Sequence, residues 1–210
     1  IEALETTSGR PILVRNSDFS KNMIGVELAG VNHSEVYWND FKMGGHELEY
    51  DILNPAAHPN LVQLGVHSKA TQSFSIEENN FEKDAQALYE GHGVLVYNSK
   101  SNDNRVYHNE FTNLKVGENG WQVNRNPSQS GKIPPGGIGL QFLCNTNTGN
   151  EVDLEMSRFF DGDDFEEYYW AGMRREQGDY NPDNAAGNTF STPNPDPNIY
   201  THFTMIISTF

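Results

Sequence analysis

The sequence is poor in cysteine, in cations and in long apolar runs. Its one cysteine, Cys144, excludes a disulfide within the chain and a multi-cysteine zinc site. The residue reads as a small buried hydrophobe, because no His or cation pattern of a cysteine nucleophile surrounds it. Lys and Arg total 14 against 29 Asp and Glu, a net charge of −15. That balance excludes nucleic acid as an expected partner and disfavours adhesion to anionic membranes. No apolar run approaches the roughly 18 residues of a membrane-spanning helix. The opening residues Ile1 to Glu5 are acidic, lack an initiator Met and carry no signal-peptide pattern, so the chain is expected to start inside a longer precursor. Hydrophobic residues make up only 36%, whereas Gly, at 19, and Asn are plentiful. Such a composition suits many turns and short strands better than long helices.

What the chain does have is a repeat. Gly93 opens an apolar strand, a polar turn follows, and a second short strand ends in Asn109-Glu110-Phe111. The unit occurs twice upstream, from Gly25 to Phe41 and from Gly65 to Phe81, and Asn16 to Phe19 reads as the end of another copy. Gly and Phe lie 16 residues apart in both upstream copies and 18 apart in the third. A fixed period on this scale marks a solenoid, whose coils bury an apolar face only by stacking.

Aligned on the Asn, the copies define three ladders. Val36, Ile76, Val106 and Phe142 stand three positions before it, and Phe41, Phe81 and Phe111 two positions after. Both sets are expected to fill the core. Asn39, Asn79, Asn109 and Asn145 form the third ladder, expected at a bend, where an amide can donate and accept along the stack and where Asn tolerates left-handed backbone. Gly25, Gly65 and Gly93 are expected at another corner, through positive φ or close approach. Asn147 stands where a Phe is expected. The stretch from Thr112 to Val123 reads as a strand pair, with the stack resuming at Ile138 after a turn-rich insertion over 124–137; another excursion covers 42–60.

The pattern Gly-x-x-x, a gap, then Val-x-x-Asn-x-Phe from Gly93 to Phe111 resembles the right-handed parallel β-helix repeat. More narrowly, Gly139 to Asn145 and Ala186 to Ser191 are similar to phrases in the β-helical regions of large secreted bacterial proteins exported by the type IX route. The resemblance implies an all-β, right-handed parallel β-helix with loop insertions. Coils occupy 1–156 and continue N-terminal of residue 1. Residues 157–210 form an irregular acidic and aromatic segment with a terminal strand closing the solenoid.

Chemistry-bearing residues are scattered. In the acidic run Asp161 to Glu167, Asp161, Asp163 and Asp164 are candidate Ca²⁺ ligands, since this cation takes six to eight oxygens; a solvated acidic loop is the alternative. Lys100, Arg105, His108 and Lys115 are the cations and bases that a lyase acting on a uronate would need, but no paired constellation stands out and no catalytic residue is assigned. Tyr37, Trp38, Tyr107, Trp121 and Tyr168 to Trp170 could form a sugar-stacking strip, or pack within the coils and over their end. The expected function is a non-catalytic extracellular or cell-surface solenoid module serving adhesion, display or scaffolding. Its partners would be the rest of a larger polypeptide or another surface subunit, with a polysaccharide as a candidate ligand. The alternative is a polysaccharide lyase.

Overall fold

The computed structural model describes residues 1–4, 11–43, 62–85, 87, 89–100, 102–125, 139–157, 173, 177 and 186–191. Within them the chain winds through three parallel sheets, and one circuit contributes one strand to each. The first coil is β1 (Glu2–Leu4), β2 (Leu13–Arg15) and β3 (Asp18–Ser20). The second is β4 (Ile24–Ala29), β5 (Glu35–Tyr37) and β6 (Asp40–Met43). The third is β7 (Val62–Lys69), β8 (Ser75–Glu77) and β9 (Asn80–Lys83). The fourth is β10 (Glu90–Tyr97), β11 (Asn104–Tyr107) and β12 (Glu110–Thr112). The fifth is β13 (Val116–Trp121), β14 (Leu140–Leu143) and β15 (Thr146–Thr148), and β16 (Val152–Ser157) opens a sixth. The first sheet runs β1-β4-β7-β10-β13-β16, and the other two run β2 to β14 and β3 to β15 in steps of three. No helix occurs among the described residues.

Register follows the expected ladders. Val14, Val36, Ile76, Val106 and Phe142 face one another across the second sheet and all are buried. The Phe ladder reaches back to Phe19: successive ring centroids from Phe19 through Phe41 and Phe81 to Phe111 lie 4.7, 4.7 and 4.9 Å apart and nearly parallel. That spacing is simply the inter-strand distance of about 4.8 Å. Each buried Phe contributes about 1.5–3 kcal/mol of apolar burial.

Gly25, Gly65 and Gly93 stand inside first-sheet strands rather than at a corner, and their requirement is room. A Cβ on Gly93 would lie 2.5 Å from Phe111, on Gly65 2.6 Å from Phe81 and on Gly25 2.8 Å from Phe41. The Gly and Phe of each repeat are thus a matched pair, one making the hollow the other fills. Gly117 is a fourth member of the series, opposite Asn147. The expected strand pair over Thr112–Val123 is instead the last residue of β12 and the single first strand of the fifth coil, β13, and the following insertion interrupts that coil before β14.

The Asn ladder has a direction. The main-chain N–H of Ser17, Asn39, Asn79, Asn109 and Asn145 each donates to the side-chain oxygen one coil further on, at 2.9–3.1 Å. The Nδ2 of each of those Asn residues donates back to a main-chain carbonyl of the preceding coil: Val14, Val36, Ile76, Val106 and Phe142. The final rung is Asn188, so the ladder extends beyond residue 157, and Asn188-Thr189-Phe190 repeats the Asn-x-Phe motif. A parallel bridge joins Thr189 to Thr146. Gln177 covers the free edge of β14, its amide accepting from Phe142 N–H and donating to Leu140 C=O.

The left-handed residue at this bend is not the Asn. It is the residue before it: Asn16, Trp38, Glu78, His108, Cys144 and Gly187 have φ between 50° and 66°. The amide needs its own backbone extended so that its side chain points inward to the ladder, and the preceding residue absorbs the reversal. For a residue with a Cβ this costs roughly 1–2 kcal/mol, offset by the buried hydrogen bonds that the bend makes possible.

The core turns polar in the fifth coil. Asn147 occupies the Phe position and Asn150 donates to it at 3.0 Å and to Asp153 at 3.2 Å. The aliphatic row Val26, Val66, Val94 continues into Glu118 and then Leu154. Glu118 is completely buried, and neither of its oxygens has a hydrogen-bond partner among the described residues. Burial, and then the neighbouring charge of Asp153, push its carboxyl well above the usual carboxylate range.

Candidate functional site

Period-two alternation turns Val14, Val36, Ile76 and Val106 inward, so their neighbours face out. The outer face of the second sheet carries Glu35 and Tyr37 from β5, Ser75 and Glu77 from β8, and Arg105 and Tyr107 from β11. Left-handed backbone at the adjoining bend throws Trp38, Glu78 and His108 outward beside them. Glu35, Tyr37, Trp38, Ser75, Glu77 and Glu78 line an open cleft of about 350 Å³.

Trp38 is 54% exposed, an unusual position for an indole. Tyr37 packs edge-on against it, with ring centroids 4.9 Å apart at 78°. The indole Nε1 donates to Glu78 Oε2 across the two coils, and Ser75 Oγ donates to Glu77 Oε1. Glu35 has no hydrogen-bond or ion-pair partner for its carboxylate among the described residues. Three carboxylates therefore border two aromatic rings, with no cation in the lining. The flanking cations lie one coil away on each side: Arg15 donates to the Tyr37 hydroxyl at 3.2 Å, and Arg105 neighbours Ser75 across the sheet. His108 Nδ1 sits 3.9 Å from Glu78 Oε1, an ion pair only when the imidazole is protonated.

Of the aromatic strip read from sequence, Tyr37, Trp38 and Tyr107 share this face. Trp121 ends β13 in the first sheet, and Tyr168 to Trp170 lie outside the described residues. So do the candidate Ca²⁺ ligands Asp161, Asp163 and Asp164. The four lyase candidates do not converge. Arg105 and His108 occupy the cleft side, and Lys100 sits exposed in the turn after β10. Lys115 is held between Glu90 at 3.2 Å and Glu151 at 2.6 Å. Those two hydrogen-bonded carboxylates raise its pKa against the opposing effect of burial. Cys144 is free and half-buried, not fully buried as expected. Among the described residues no group of three acidic, His or Cys side chains is placed to hold a metal. The cleft itself escaped sequence reading because Trp38 and Glu78 are 40 residues apart and meet only through the stacking register.

The fold defines the chain as an all-β parallel solenoid of the three-sheet, β-helical kind. No protein-family model, no curated protein and no solved structure matches it.

Proposed function

We propose that this chain is a non-catalytic solenoid module of a larger secreted or surface-attached bacterial protein, serving adhesion, surface display or scaffolding. The observation that carries this reading is where the repeat invests its distinctive residues. Gly pairs with Phe, Asn caps the preceding coil, and Val, Ile and Phe fill the interior, so each recurring residue already has a structural task. Catalysis instead calls for side chains that depart from the repeat and converge. Of the four basic candidates on the coils only Arg105 and His108 share a face, and Lys115 is neutralised by two glutamates. Export by the type IX route is part of the proposal and rests on the similarity of Gly139 to Asn145 and Ala186 to Ser191 to phrases of such proteins.

The test is an assay for unsaturated uronate release over a panel of acidic and neutral polysaccharides, with and without Ca²⁺. The expected outcome is no turnover on any substrate. Measurable lyase activity, abolished by Arg105→Ala or His108→Ala without loss of the β-sheet circular dichroism signal, would overturn the scaffold reading.

A further inference from the structure

We propose that the cleft at Tyr37 and Trp38 binds an organic ammonium group, presented by a free alkylated amine or by a lysine side chain of a partner. Three observations converge on that chemistry. The indole of Trp38 is more than half exposed although it stands at the bend between two sheets, beside an interior strand. Its ring meets Tyr37 nearly at a right angle, so the two π-faces form a corner, an arrangement that attracts a cation through the ring quadrupoles. The remaining lining supplies Glu35, Glu77 and Glu78. Ser75 and the Trp38 indole N–H each occupy one oxygen of Glu77 and Glu78, which fixes those carboxylates without neutralising them. Glu35, on the same strand face as Tyr37 and beside Ser75, stays open.

Charge complementarity decides among possible occupants. A uronate or phosphate would meet three carboxylates in the cleft and a chain of net charge −15. A neutral sugar could stack on Trp38 but would gain nothing from the acidic wall. An alkylammonium satisfies both, its methyl or methylene groups against the rings and its charge toward the carboxylates. Arg15 and Arg105 sit outside the lining and bound the site along the sheet. This assignment is independent of whether the solenoid is a scaffold.

The strain at Trp38 supplies a clean control. Position 38 is left-handed, and the equivalent bend in the sixth coil is the glycine Gly187; Trp38→Gly therefore removes the indole without disturbing the fold. The experiment follows the Trp38 indole N–H by NMR, assigned by its loss in Trp38→Gly, while choline is added to the whole 210-residue chain. The neutral isostere 3,3-dimethylbutan-1-ol is titrated in parallel. Choline is expected to shift the resonance saturably, and the isostere to bind about tenfold more weakly or worse. Glu35→Gln combined with Glu77→Gln is expected to weaken choline binding about tenfold and to flatten its salt dependence. Choline affinity in Trp38→Gly, read from the Ser75 and Glu78 amides, should fall about fivefold. A trimethyllysine peptide that binds more tightly than choline identifies a protein side chain as the source; equal or weaker binding identifies a free amine. Equal affinity for choline and its isostere, or an unmoved indole resonance at saturating choline, overturns the proposal. That comparison uses the unmodified chain, so it decides the matter even if a variant fails to fold.

Discussion

Replacing Glu118 by valine should make this protein more stable, although it removes a carboxylate from an acidic chain. The position belongs to an aliphatic row, with Val94 before it and Leu154 after it. Valine matches the residue at that place in three earlier coils and is close to glutamate in volume. An unpaired polar group in such surroundings costs about 1–3 kcal/mol by mutational measures. Filling the site with an aliphatic side chain adds about 1.5–2 kcal/mol of burial. Some of that sum is lost to imperfect packing, so the expected gain is about 2–4 kcal/mol below the unfolded pKa, where the carboxyl is neutral in both states, and proton uptake adds to it at pH 7. Proton linkage gives a second, sharper signature. The folded carboxyl titrates well above its usual value, whereas the unfolded one titrates near 4.3. Between those two values folding takes up a proton, so Glu118's contribution is most favourable below the unfolded pKa and is lost as pH rises toward the folded one. The advantage of Glu118→Val over the parent should therefore shrink by about 1.4 kcal/mol for each unit of acidification through that window. Effects of groups that do not interact with Glu118 cancel in the difference. Urea titrations at several pH values would measure it, and hydrogen exchange at the Asn119 and Gly120 amides would read the fifth coil by itself, because a solenoid can open locally. A variant less stable than the parent at pH 7, or a difference that does not change with pH, would refute the reasoning by showing that Glu118 is paired or ionised in the fold.

Other perturbations test the remaining joints. Gly93→Ala should cost about 1–3 kcal/mol through its clash with Phe111, and Phe111→Leu in the same chain should recover part of that loss, a non-additivity visible in a double-mutant cycle by urea denaturation. Asn109→Ala should cost about 2–4 kcal/mol, because it leaves the Asn79 N–H and the Ile76 carbonyl unpaired in the interior; Asn109→Asp, which still accepts but no longer donates to Ile76, should also destabilise. Trp38→Gly should be at least as stable as the parent, by up to about 1 kcal/mol, since release of left-handed strain outweighs the extra freedom of the unfolded chain. Lys115→Met should change stability by less than about 1 kcal/mol, with the difference vanishing in high salt, because the ammonium is largely exposed.

The ladders were legible because their signature is local. Asn-x-Phe needs three consecutive residues, and the spacing from Gly to Phe reports the coil length directly. The fifth coil hid, for two physical reasons, that its first strand is a single one. An insertion separates β13 from β14, and Glu118 and Asn119 stand where an apolar alternation would have announced a strand. The rung at Asn188 is hard to read for a related reason: more than forty residues divide it from Asn145. The left-handed bend left a trace only at Asn16 and Gly187, residue types that tolerate positive φ. Trp, Glu, His and Cys share no preference for positive φ, so the geometry there comes from the amide that follows and not from the residue that adopts it. The cleft inherits that silence, because its two defining side chains, Trp38 and Glu78, owe their outward direction to this bend.

The direction of the amide ladder makes the two ends of the stack chemically unlike. Each asparagine completes the turn beneath it, so a coil laid down by the chain has a finished lower face and an upper face whose N–H and carbonyl wait for the next amide. Beyond the strand edges that any deletion exposes, deleting coils from the N-terminal side would strand only side-chain amides at this bend, which swing into water at little cost. Deleting from the C-terminal side would strand main-chain groups locked in a bend. Growth of the stack is therefore vectorial: the chain is fastened from behind as it emerges, and the last coil to arrive holds the one before it shut.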